Sequence, residues 1–560
     1  MSDQWLPSEH GSESGGLQRR VARGLTWTLI DAWGTQLLGL VVFAILANLL
    51  LPEDFGLVAL AAVFVAFAQL LVDQGLGDAL IQRRSVTRSE IDTAFWVAVL
   101  TGLLLTAAGV AVAGPIANLL VEPRLELILQ ALSLTFMLSA LNSIQMALLR
   151  REMRFRSLAI RKLAAVAGGG VVGVAMAVWN YGAWALVGQQ IASAAISVVM
   201  LWTVSPWRPG LKVSRSDFRS LFSFGVHVVA GDILIFLSRN VDRLLIGIYL
   251  GAVPLGFYAV GYRILDTTQQ LLVNFARKLA FPIFSRLQDD LDRLRRAYAR
   301  ATRAISVVIL PGYIGLALVA QEAIVVIFGD KWAESGRVAA VLFLIGPVLT
   351  VQLFSGAVLN GVGHPEVTFR IRLVTTIVNV VGFFVAVAFF RDIVAVAAAF
   401  VVRGYLVMPL IFWWVRKYAH IGVREQLSQL RSTVLATAVM VVALVAVKFA
   451  LLPRVPAAVL LLAEVLTGVV AFFAALLVID RALVREVTVV GLQAAPGGTR
   501  IARLLGVKLP EAGRGGKGRS HMAVGTLADA EETVTAGASV AGGSIAAAVG
   551  TIKDETLGDV

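Results

Sequence analysis

Cysteine is absent from all 560 residues, which excludes disulfides and thiolate metal sites. Histidine is scarce, and His10, His227, His364, His420 and His521 are scattered, which argues against a zinc or haem centre. No G-x-x-x-x-G-K-[ST] stretch is present, so no P-loop ATPase is expected. Charged residues make up only 15% of the chain. Apolar residues fill the space instead, at 58% with a mean hydropathy of +0.81. That is too apolar for a soluble globule and places the chain among polytopic membrane proteins. The formal charge of +13 first suggests nucleic acid, but the arginines sit in short loops between apolar runs. That pattern is an orientation signal of membrane proteins, and no nucleic acid is expected.

About fourteen runs are long enough to span a bilayer, from Leu25–Leu50 to Ala457–Val478. The fold class is therefore all-α, a polytopic membrane protein. The first run follows twenty polar residues and lacks a small-residue cleavage pattern, so it reads as a retained span. One set of loops is rich in Arg and Lys, as in Arg83–Arg88, Arg150–Arg161 and Arg277–Arg303; the other, including LLPED, WNYG, LGAVP and FGDKWAESGR, is nearly bare. This alternation predicts cytoplasmic termini. None of the bare loops exceeds about ten residues, leaving no room for an external catalytic domain.

LLLPEDFGLVALA from Leu49 resembles YLGAVPLGFYAVG from Tyr249, 200 residues on, and MRFR from Met153 echoes VTFR from Val367. These matches predict two parallel repeats of six helices each. The expected organisation is a cytoplasmic tail (1–20), a first lobe (21–204), a linker (205–218), a second lobe (219–416), two further helices (431–479) and a disordered cytoplasmic tail (487–560).

The second repeat opens with a hairpin of apolar helices turning at Gly251–Pro254, and it carries charges where a span should have none. Arg239, Arg243 and Arg263 fall roughly 12–18 Å below the turn at the rise of a helix, near the middle of a hydrocarbon core. Arg403 lies at similar depth in the twelfth run, and Asp242, Tyr262 and Asp266 share the layer. A bland reading pairs Asp242 with Arg239 and Asp266 with Arg263 to lock the packing. Arg243 and Arg403 remain without acids in that reading, which favours anion binding, because a guanidinium fork accepts phosphate oxygens in bidentate fashion. The candidate substrate-binding residues are thus Arg239, Arg243, Arg263, Arg403, Asp242 and Tyr262. Asp31, His227 and Asp232 lie on the first helices of the two repeats and are candidates for ion coupling, against an ordinary hydrogen-bonded role. Lys448 and Glu464 read as a peripheral pair.

Seven stretches carry a resemblance: DQGLGDALIQRRSVTRSEIDTAFW, ALLRREMRFRSLA, WALVGQQ, SPWRPGLKVSR, FLSRNVDRLLIGIYLGAVPLGFYAVGYRI, FPIFSRLQDD and FGDKWAES. From about Leu17 to Ile421 the chain resembles the Wzx-type oligosaccharide flippases of the multidrug/oligosaccharidyl-lipid/polysaccharide exporter superfamily, in their colanic-acid and teichuronic-acid branch. The resemblance implies two six-helix lobes around a cavity, alternating access in the inner (plasma) membrane, and an undecaprenyl-diphosphate-linked oligosaccharide as substrate. It implies no catalytic residues, metal or cofactor. H+ or Na+ coupling and a polysaccharide polymerase as partner are further expectations. A drug or cation antiporter would favour acidic and aromatic cavity residues, and a membrane glycosyltransferase or polymerase would need a large external loop with paired carboxylates. The arginine layer and the short loops argue against both.

Overall fold

Long apolar runs become helices here because only a helix satisfies its own backbone polar groups in lipid. The computed structural model describes residues 33–494 except 74, 75, 84, 212, 215–232, 234, 274–283, 285–289 and 452–454. Asp31, His227 and Asp232 therefore lie outside the described residues. Among those described, eleven helical stretches are long and apolar enough to cross a membrane, with the broken stretch Asp330–Gly361 counted as one.

The first half contains α1 (Thr35–Leu49), α2 (Pro52–Asp73), α3 (Leu76–Gln82), α4 (Arg88–Leu119), α5 (Arg124–Arg151), α6 (Phe155–Val178) and α7 (Ala183–Val204). A capping box starts α4: the Glu90 N–H donates to the Thr87 hydroxyl at 3.3 Å, and the Thr87 N–H donates to the Glu90 carboxylate at 2.7 Å. This fixes where a 32-residue helix begins.

The second half follows with α8 (residues 235–250), α9 (Ala252–Thr268) and α10 (Leu291–Phe328). The α8–α9 turn is tighter than Gly251–Pro254. Gly251 alone makes it, at φ +89°, and Pro254 sits in the first turn of α9, where its missing N–H costs nothing. The tenth apolar run of the sequence, Val338–Val362, is long enough for one spanning helix but lies in a stretch that breaks into α11 (Ala333–Phe343), α12 (Gly346–Gln352) and α13 (Ser355–Gly361). Pro347 has no N–H to donate to the Phe343 carbonyl four residues back, and the neighbouring Leu344 carbonyl accepts the Tyr405 hydroxyl at 3.0 Å instead of a backbone N–H. Then come α14 (Pro365–Val385), α15 (Ile393–Ala419), α16 (Val423–Ser428), α17 (Arg431–Leu451), α18 (Ala457–Ile479) and α19 (Arg481–Ala494). The last runs to Ala494, past the Val487 boundary at which the tail was expected to lose structure.

The halves meet where α2 crosses α9. A Cβ on Gly56 would lie 1.7 Å from the Ala252 carbonyl oxygen, and one on Gly256 would lie 1.9 Å from that of Pro52. The contact is reciprocal at the 200-residue offset of the repeat, a small-residue crossing in which two backbones touch.

The helix pair α17–α18 docks on α10. At one end Arg303 contacts Asp480 at 2.6 Å, the Ser432 hydroxyl donates to Asp480 at 2.8 Å, and Ser306 and Thr433 share a hydrogen bond of 3.0 Å. At the other end Lys448 contacts Glu322 of α10 at 2.7 Å. Glu464 is only 1% exposed, so Lys448 and Glu464 are not a peripheral pair.

Candidate functional site

Tyr262 of α9 is the centre around which the layer forms. Its ring stacks on Tyr258, one helical turn earlier, with centroids 5.9 Å apart, and meets Phe400 edge-on at 6.1 Å. The Arg243 guanidinium carbon lies 5.0 Å from the Tyr262 ring centroid. Arg403 stands 4.6 Å from the Phe400 ring, its Nε–H donating to the Phe400 carbonyl at 3.4 Å. Asp242, Arg243, Asp266 and Arg239 are all within electrostatic reach of Tyr262, and Arg403 is within reach of Tyr262 and Asp242. Arg239, Arg243, Arg403, Asp242 and Tyr262 therefore converge, and Arg263 borders them within electrostatic reach of Arg243 and Asp266.

Arg263 extends toward the first half, with its guanidinium 5.9 Å from the Phe43 ring of α1. A Cβ at Gly39 would stand 3.7 Å from an Arg263 nitrogen. Gln36, one turn before Gly39, hydrogen-bonds Gln270, which donates to Asp266 at 2.8 Å. Gln36, Gly39 and Phe43 lie on one face of α1 at i, i+3, i+7 spacing, so both halves border the site.

Neither of the two ion pairs of the packing alternative, Asp242 with Arg239 and Asp266 with Arg263, is present among the described residues. Asp242, 3% exposed, accepts the Tyr258 hydroxyl at 2.7 Å, and Asp266 is held by Gln270. Arg243, Arg263 and Arg403 are half-buried and Arg239 is exposed. The Nε atoms of Arg243 and Arg263 are buried without an acceptor among the described residues, as is the Asp242 Oδ1 without a donor. Buried unpaired donors of this kind are rare enough to require an explanation, and cations held against aromatic faces keep their forks free for an anion. Tyr258, Phe43 and Phe400 went unnoticed in the sequence. Tyr258 had one available signal, its i, i+4 spacing from Tyr262.

A cavity of about 290 Å³ lies elsewhere, lined by Trp413, Arg416, Lys417 and His420 at the end of α15. There the Lys417 ammonium sits 5.2–5.5 Å from the rings of Trp413, Trp414 and Tyr418, the aromatic and basic rim of a membrane interface. Among the described residues no group of three or more His, Cys, Asp or Glu is placed to hold a metal.

A family model described as "Polysaccharide biosynthesis protein" matches residues 45–337. The chain is similar to the succinoglycan biosynthesis transport protein ExoT of Rhizobium meliloti (strain 1021), 28% identical over 64% of this chain and 73% of that one. It is also similar to the teichuronic acid biosynthesis protein TuaB of Bacillus subtilis (strain 168), 25% identical over 63% and 74%. A third relative is the lipopolysaccharide biosynthesis protein WzxC of Escherichia coli (strain K12), 26% identical over 64% and 74%. Among solved structures, the lipid II flippase MurJ in an inward closed conformation superposes with a TM-score of 0.68 at 12% identity, over 82% of this chain and all of that one. At that identity the likeness concerns the fold.

Proposed function

The chain belongs to the polysaccharide biosynthesis protein family, and from that premise we propose that it is a flippase for an undecaprenyl-diphosphate-linked oligosaccharide. The diphosphate is held by Arg243, Arg263 and Arg403, with Arg239 at the exposed edge of the layer and Tyr262 and Asp242 setting their positions. The single observation that supports this reading is a set of half-buried guanidinium groups on aromatic faces with no carboxylate ion-paired to them among the described residues. Such a layer costs a few kcal/mol per charge at mid-membrane depth, a cost that a dianionic head group offsets when it loads.

On this reading the termini are cytoplasmic, the head group enters from the cytoplasm, and the halves rock about the loaded site. The glycan crosses while the polyprenyl chain stays in lipid. Release needs weaker binding in the outward state, since a ligand shifts an equilibrium only through differential affinity. Asp31, His227 and Asp232 stand as proposed ion-coupling residues, and a polysaccharide polymerase as a proposed partner.

The test is a flipping assay in proteoliposomes with undecaprenyl diphosphate bearing a fluorescent glycan. Arg243→Ala and Arg403→Ala are each expected to lower the initial rate at least about tenfold, the loss of one charge-assisted contact of ~1.5–3 kcal/mol. Full activity in both variants removes the site assignment.

A further inference from the structure

A second set of membrane-depth charges lies away from the arginine layer, where α10, α17 and α18 meet, and among the described residues it does not balance. Lys448 of α17 contacts the Glu322 carboxylate at 2.7 Å and donates to the Leu318 carbonyl at 3.0 Å. Glu464 of α18, 1% exposed, is within electrostatic reach of both Glu322 and Lys448. Among the described residues one ammonium therefore faces two carboxylates. The Oε2 atoms of Glu322 and Glu464 are buried, and neither has a hydrogen-bond donor among the described residues.

α18 also packs on α19, whose charges Arg481, Arg485 and Glu486 begin at the opposite end of α18, roughly 25 Å along the helix from Glu464. They cannot supply the missing positive charge. Two neighbouring carboxylates in a poorly hydrated site do not both ionise readily, and an unpaired buried charge is among the costliest features a fold can carry.

We propose that Glu464, Glu322 and Lys448 form an exchangeable proton site in which one proton neutralises the second carboxylate. Glu464 is its principal carrier, because Lys448 already neutralises Glu322. The site is separate from the arginine layer and does not depend on the identity of the transported lipid.

The experiment follows the protonated-carboxyl stretching band by infrared difference spectroscopy, with the full chain in lipid nanodiscs titrated from pH 5 to 9 in potassium buffer. The wild type is expected to lose a carboxyl band as the pH rises, and Glu464→Gln to lack that transition. Lys448→Met is expected to move the midpoint upward by about one pH unit or more, since an opposite charge favours the ionised form. Should Glu464→Gln fail to fold, Glu322→Gln serves in its place and is expected to move the midpoint downward by removing a like charge. A band that persists unchanged across the range, or a transition untouched by these variants, overturns the proposal. Replacement of potassium by sodium at fixed pH gives a further check: a sodium-induced loss of the band that vanishes in Glu464→Gln makes Na+ the occupant and overturns the proton assignment. No substrate enters the measurement, so its outcome is independent of the flipping assay.

Discussion

At the residue scale, the arrangement turns on Asp242 being satisfied by a tyrosine. Had it paired with Arg239, one charge of the layer would be cancelled internally; the Tyr258 hydroxyl takes one of its oxygens instead. Tyr258→Phe keeps the ring stack on Tyr262 but leaves that buried oxygen without its donor. A loss of about 1.5–3 kcal/mol is expected for a hydrogen bond to a charged group, read as a fall in thermal unfolding temperature in detergent. Asp242→Asn in the same background is expected to recover part of it, because a neutral amide is cheaper to bury than a carboxylate. No recovery would mean that Asp242 is stabilised by groups other than Tyr258. The arginines were legible in the sequence because each interrupts an apolar run. Phe43 and Phe400 were not, since one more phenylalanine in such a run carries no contrast, and Gln36 meets Gln270 only through a contact 234 positions apart.

At the scale of elements, the spans were legible wherever length and apolarity coincide. The interruption of the tenth run at Pro347 was not, because a proline inside an apolar stretch reads equally as a kink or a break. The docking of α17–α18 on α10 was hidden for another reason: it rests on polar pairs whose members are more than a hundred residues apart, such as Arg303 with Asp480. Asp480 lies just beyond the last span. Burial acts to raise its pKa, but hydrogen bonds from Ser432, Arg303 and the Leu483 N–H outweigh it and hold the carboxyl below its ordinary value of 3.8. A carboxylate whose folded pKa is depressed adds stability above the unfolded value, and that stability is lost as the pH falls through the folded value. Asp480→Asn is therefore expected to cost about 1.5–3 kcal/mol at neutral pH, with wild type and variant converging below pH 3.8. Thermal unfolding across a pH series checks this, and a gap that stays constant down to acid would assign the cost to packing.

At the scale of the whole molecule, the two halves are latched together at the end that carries the Leu50–Leu51, Gly251 and Asp330–Trp332 connections. Lys331 of the second half donates to the Asn48 and Leu50 carbonyls at 2.7 Å each, satisfying the last turn of α1. The Trp332 indole donates to the Ala47 carbonyl at 2.8 Å, and its ring meets Phe55 and Phe257 edge-on at 5.3 and 6.0 Å. Together with the Gly56–Gly256 crossing, these contacts seal that end, which the loop charges predict to be external. If alternation requires this seal to part, weakening it shifts the population toward the open form by the contacts removed, about 1 kcal/mol for a single neutral hydrogen bond and more for the charged ones. The absence of native cysteine makes this measurable. A single Ala47→Cys thiol, at a position 0% exposed, is expected to react slowly with an impermeant maleimide added outside intact cells. Adding Lys331→Met is expected to speed labelling about tenfold, and Trp332→Ala further still, while a cysteine at exposed Leu119 labels equally in all backgrounds. Labelling at Ala47→Cys that is as slow in both latch variants as in the parent would mean that the glycine crossing holds the end shut without them.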